Sequence, residues 1–140
     1  MPPQFTLEYA LMAFLGAMGV LQFAFASNGI LGMLFLRRLP RASAALGVAF
    51  VLAAFVWFFA NGPRNVPDTG AGLDGNDQAR WFATAAAAAF AVTALASSAI
   101  NDRWGAKAPG EGVGLDALRH TTFARALARR VARMRIWRGM

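Results

Sequence analysis

Residues Tyr9–Leu36 read YALMAFLGAMGVLQFAFASNGILGMLFL, a run of 28 residues with no formal charge that stops abruptly at Arg37 and Arg38. Hydrocarbon about 30 Å thick asks for roughly 20 consecutive apolar residues in a spanning helix, and this run exceeds that. At a rise of about 1.5 Å per residue it would make roughly 42 Å of helix. The excess has two outlets: tilt with a protruding first turn, or a break near Ser27-Asn28-Gly29. Tilt with protrusion is the expectation. A secretory signal would need a basic leader and a short apolar core. The flank here carries Glu8 and neither Lys nor Arg, so the segment is expected to stay in the mature protein.

Two further runs follow. Ala42–Ala60 (ASAALGVAFVLAAFVWFFA) comes after Pro40 and Arg41, and Pro suits the first turn of a helix. Trp81–Ile100 is half alanine and only weakly hydrophobic, although its 20 residues match a bilayer. The chain as a whole is 57% hydrophobic and 15% charged, too apolar for an ordinary water-soluble domain. The expected fold is all-α: a polytopic integral membrane protein with three transmembrane helices (9–36, 42–60 and 81–100) plus a C-terminal basic amphipathic helix (115–140). An outer tail (1–8), a turn (37–41), an outer Gly/Asp-rich loop (61–80) and a linker (101–114) complete the organisation.

Charge sets the orientation. The 37–41 turn holds three basic residues and the chain after Ile100 holds nine, against two in the loop from Asn61 to Arg80. Cytoplasmic flanks are the basic ones, so the turn and the C-terminus are expected in the cytoplasm and the N-terminus outside the cytoplasmic (inner) membrane. Trp57 and Trp81 then fall at the outer ends of their helices and Trp104 just inside the third, as interfacial aromatics should. Cysteine is absent, which excludes disulfides and thiolate metal sites.

The outer loop carries two familiar signatures in DTGAGLDGNDQARWF, residues 68–82. Asp68-Thr69-Gly70 spells the triplet of aspartic proteases, but that chemistry needs two Asp loops sharing one proton, and one triplet after a Pro-rich stretch supplies neither the pair nor the buried strand. Gly70-x-Gly72-x-x-Gly75 spells the dinucleotide fingerprint, but no βαβ unit surrounds it. Asp68, Asp74 and Asp77 are of the right type for calcium, with spacing unlike the EF-hand. The plainer account has prolines stiffening the exit, glycines permitting positive φ, Asn76 or Asp77 capping the third helix, and Arg80 meeting Asp77 at helical spacing. Asp68, Asp74, Asp77, Arg80 and Trp81 are the candidate docking residues of this loop.

Within the spans, Gln22 and Asn28 are the amide side chains, expected to seek partners in helix packing. Ala13, Gly16, Ala17 and Gly19 thin one part of the first helix, and the third is small-sided nearly all round, so either the other helices or another protein must cover it. Phe residues on the first two helices suit lipid contact. No cofactor is expected, although a bound lipid or pigment tail would fit the same surface.

In the tail, Phe123, Leu127, Val131, Met134 and Trp137 recur at spacings of four, four, three and three, forming one apolar stripe, with Arg125, Arg129 and Arg133 on roughly the opposite face. Such a helix lies on an anionic leaflet or docks on a partner subunit. Nucleic acid is not the expected partner, since the membrane tether and the apolar stripe account for the charge. One His, no Cys and no charged residue inside a span argue against an enzyme. The expected function is a non-catalytic accessory or assembly subunit among other integral-membrane subunits, in an energy-transducing (photosynthetic or respiratory) complex. It would dock through its outer loop and inner arm. A small homo-oligomeric carrier or channel is the alternative.

Overall fold

The computed structural model describes residues 3–61, 74–103 and 114–137, and the regular structure among them is helical. Three long helices dominate: α1 (Pro3–Ser27), α2 (Pro40–Ala60) and α3 (Gly75–Arg103). Each contains a stretch long and apolar enough to cross a membrane, Phe5–Ser27, Pro40–Ala60 and Gly75–Asn101. The all-helical, three-span expectation holds.

Packing begins at a glycine pair. A Cβ placed on Gly19 would sit 2.5 Å from the Gly47 carbonyl oxygen, and one placed on Gly47 would sit 2.5 Å from that of Gly19. Both positions must therefore be glycine for α1 and α2 to cross this closely, and dispersion rewards the approach where lipid offers no hydrophobic drive. The antiparallel sense is fixed at the far end, where Phe5 and Tyr9 of α1 pack on the Phe58 ring at centroid distances of 6.1 and 6.5 Å. Helix α3 also packs along α1, burying Ala85, Ala89, Thr93, Ser97 and Asn101, one residue per turn. Helices α2 and α3 barely touch, so α1 is the shared neighbour of both.

The first span departs from expectation. The excess length of 9–36 is absorbed by a break and not by tilt: α1 ends at Ser27. Gly29 adopts φ +68°, the Ile30 N–H returns to the Phe25 carbonyl at 2.9 Å, and the Gly29 N–H returns to Ala26 at 3.3 Å. This is a Schellman stop, which needs a left-handed residue that glycine supplies without strain. The chain then folds back as a 12-residue connector, Asn28 to Leu39, containing a single 3-10 turn at Leu31–Met33. Pro40 opens α2 in the first turn, where its missing N–H is harmless.

Helix α3 is longer than the expected 81–100 at both ends. Its cap is neither Asn76 nor Asp77: the Asp74 carboxylate accepts the Asp77 N–H at 2.9 Å, so the helix starts well before Trp81. Residues 101–103 belong to α3 and not to a linker.

The tail is not one helix over 115–140. A 3-10 turn (Gly114–Asp116) leads into α4 (Ala117–His120), the chain extends at Thr121 (φ −131°, ψ 165°), and α5 runs Phe123–Trp137. The interruption has a packing cause. Ala117, Leu118, Thr121 and Thr122 are buried, and the Leu118 and Thr121 carbonyls press on Gly32, where no Cβ would fit. Met33, Ala94 and Leu118 form a small core with Phe25, Ile30, Phe123 and Ala126 around it.

Candidate functional site: a clasped connector and a basic tail

Folding a non-helical segment against apolar helices exposes backbone groups that must find partners. Side chains from all three long helices supply them. Gln22 of α1, fully buried, donates from Nε2 to the Met33 carbonyl at 3.1 Å, and its Oε1 accepts the Phe35 N–H at 3.0 Å. Ser43 of α2 accepts the Leu36 N–H at 3.0 Å. Asn101 of α3 donates to the Leu34 carbonyl at 2.9 Å and to Ser97 in its own helix at 2.7 Å. These bonds are worth about 0.5–1.5 kcal/mol each, and leaving a buried partner unmade costs more.

The tail closes over this clasp. Ser98 donates to the Ala94 carbonyl at 2.7 Å while its oxygen accepts the Ala124 N–H at 3.1 Å, satisfying a free donor at the start of α5. The Phe123 ring stands edge-on to Phe90 of α3, with centroids 6.3 Å apart. Arg37 Nη2 donates to the His120 carbonyl at 2.8 Å, joining the connector to the end of α4 across 83 positions of sequence. Among the described residues, Arg37 Nη1, Thr93 Oγ1 and Thr121 Oγ1 are buried without a hydrogen-bond partner.

The residues singled out in the sequence fall in several places. Gln22, expected to seek a partner in helix packing, bonds instead the backbone of the connector in its own chain. Asn28 does not act within a span: it lies at the end of α1, exposed, and its side chain bonds Ala24 of its own last turn at 2.8 Å. Asp77 and Arg80 pair at 3.5 Å on the surface, beside the capping Asp74 and exposed Trp81. Asp68 and residues 62–73 of the outer loop lie outside the described residues, as do Trp104 and the side chains of Arg133 and Trp137. Leu127, Val131 and Met134 are all exposed on α5, while Phe123 is half-buried against the bundle. Arg125 and Arg129 lie on the same helix.

Ser43, Ser98 and Asn101 were not singled out. A signal for α3 was present, since Thr93, Ser97 and Asn101 recur every four residues and so make a polar stripe on an otherwise alanine-rich span, which lipid would not tolerate facing outward. Searches for similarity find no matching family model, no matching curated protein and no matching solved structure.

Proposed function

We propose that this chain is a non-catalytic accessory or assembly subunit of a larger integral-membrane complex, set in the cytoplasmic membrane with its N-terminus outside and its basic end inside. One observation carries the reading. Among the described residues, one side of α3 is covered, by α1, the connector and the first turn of α5, while Ala87, Ala88, Ala91 and their neighbours are exposed. A helix this rich in alanine gains little from lipid, whereas small side chains let a neighbouring helix approach closely. Because α2 does not close over α3, the trio presents an open flank instead of a sealed bundle.

The orientation rests on the charge count, with 12 basic residues on the proposed inner side and 2 on the outer. The alternative, a carrier or channel, needs polar groups along a path at mid-depth. Gln22 is committed to the connector backbone and Asn28 to its own helix end, which favours the subunit reading. The test is mild detergent extraction from native membranes, native-gel separation and mass spectrometry of co-migrating chains. A stoichiometric complex is expected. Migration alone, or as a homo-oligomer, overturns the reading.

A further inference from the structure

In sequence the two basic segments of this protein stand far apart, and the tail follows what reads as a free linker. The structure joins them. Arg37 bonds the His120 carbonyl, and Arg119 Nη1 lies 3.9 Å from where a Gly29 Cβ would stand, so the Arg37-Arg38-Arg41 turn and the α4–α5 tail share one end of the bundle. The tail from Leu115 onward holds seven arginines against the single acid Asp116. Helix α5 does not swing from a tether: its start is fixed on α3 by the Ser98–Ala124 hydrogen bond and by buried Thr121 and Thr122.

That attachment sets both depth and facing. Ser98 lies one turn before Asn101, close to the end of the apolar stretch of α3. Phe123 packs on Phe90, which is itself exposed on the outer surface of α3. Leu127, Val131 and Met134, which are 49, 49 and 54% exposed, follow Phe123 at spacings of four, four and three. The apolar stripe of α5 therefore leaves the bundle at Phe90 and stays uncovered, among the described residues, from Leu127 to Met134. Arg125 and Arg129 lie on roughly the opposite side of the helix, and the same four-residue spacing in the sequence adds Arg133 to their row. Arg130 falls within the stripe, where its long stem can lie along hydrocarbon with the guanidinium turned up to the head groups.

We propose that α5 lies in the plane of the inner leaflet as an interfacial helix, and that together with Arg37, Arg38 and Arg41 it forms one basic collar binding anionic phospholipid head groups. A partner subunit covering the same stripe would not account for the one-sided charge, seven arginines against one acid from Leu115 onward. The inference rests on the three helices crossing a membrane and not on membership of a complex, so it is tested on the purified chain by itself.

The absence of cysteine allows single thiols to be placed freely. Leu127→Cys and Ala132→Cys, the second on the polar side of α5, would each carry an environment-sensitive fluorophore in nanodiscs of phosphatidylcholine alone or mixed with phosphatidylglycerol. The expected result is a blue-shifted Leu127 probe, shielded from aqueous iodide severalfold better than the Ala132 probe, with the difference largest in phosphatidylglycerol and reduced by Arg125→Gln/Arg129→Gln/Arg133→Gln. Equal quenching at both sites in anionic nanodiscs overturns the proposal, as does shielding of Leu127 that requires an added protein fraction. The unmodified chain gives an independent reading. Purified from mixed lipid, it should retain phosphatidylglycerol severalfold over its share of the mixture, and retention in proportion to the mixture counts against the collar.

Discussion

Gln22 shows how a single side chain decides what a hydrophobic run becomes. Its amide donates one hydrogen bond and accepts another, both with the connector backbone, at the Met33 carbonyl and the Phe35 N–H. Gln22→Ala would leave the buried Met33 carbonyl and the part-buried Phe35 N–H without this partner, and about 1–3 kcal/mol of stability is expected to be lost. Asn28→Ala removes one exposed bond to the last turn of α1, and a change below about 0.5 kcal/mol is expected. Unfolding titrations of the two variants in mixed micelles would separate them, and equal midpoints would refute the clasp. In the sequence Gln22 was legible as a group needing a partner, but which partner was not. Its contacts are 11 and 13 residues away in a segment that looks like more helix.

The same difficulty appears at the scale of elements. The three spans were readable because each is a long uncharged run, whereas the end of α1 was not, since Ile30, Leu31, Met33 and Leu34 are as apolar as the helix before them. Apolarity reports burial and is silent on whether buried backbone is helical or bonded to side chains. The Ser27-Asn28-Gly29 triplet was the available stop signal, and Gly29 takes the left-handed conformation there. In the tail, periodicity revealed α5 but missed the extension at Thr121, which exists because α4 is packed against Gly32 and Met33. Helix contacts follow a simpler rule. Gly19→Ala places a methyl group against the backbone of α2, and about 1–3 kcal/mol of destabilisation is expected, whereas Gly16→Ala, with nothing within 4 Å, should change stability by less than about 0.5 kcal/mol. Thermal inactivation of the folded state in detergent would rank the pair, and a Gly16→Ala loss as large as that of Gly19→Ala would place the crossing elsewhere.

At the scale of the whole molecule, the parts describe a small protein whose basic end is tightly tied and whose flank is open. The connector, α4 and the start of α5 bind the three long helices together at the basic end, yet among the described residues α2 and α3 remain apart and α3 leaves a surface of alanines uncovered. That combination of a rigid base and a low-hydrophobicity flank is the physical content of the subunit proposal. The sequence already posed the question of what covers α3, and the structure narrows it to the side away from α1. The direct measurement is photo-crosslinking in native membranes from a benzophenone amino acid placed at Ala91 of α3, compared with the same group at Val56 on the exposed side of α2. The account predicts a discrete crosslinked protein of constant mass from Ala91 and only lipid adducts from Val56. Lipid adducts alone from both positions would contradict it.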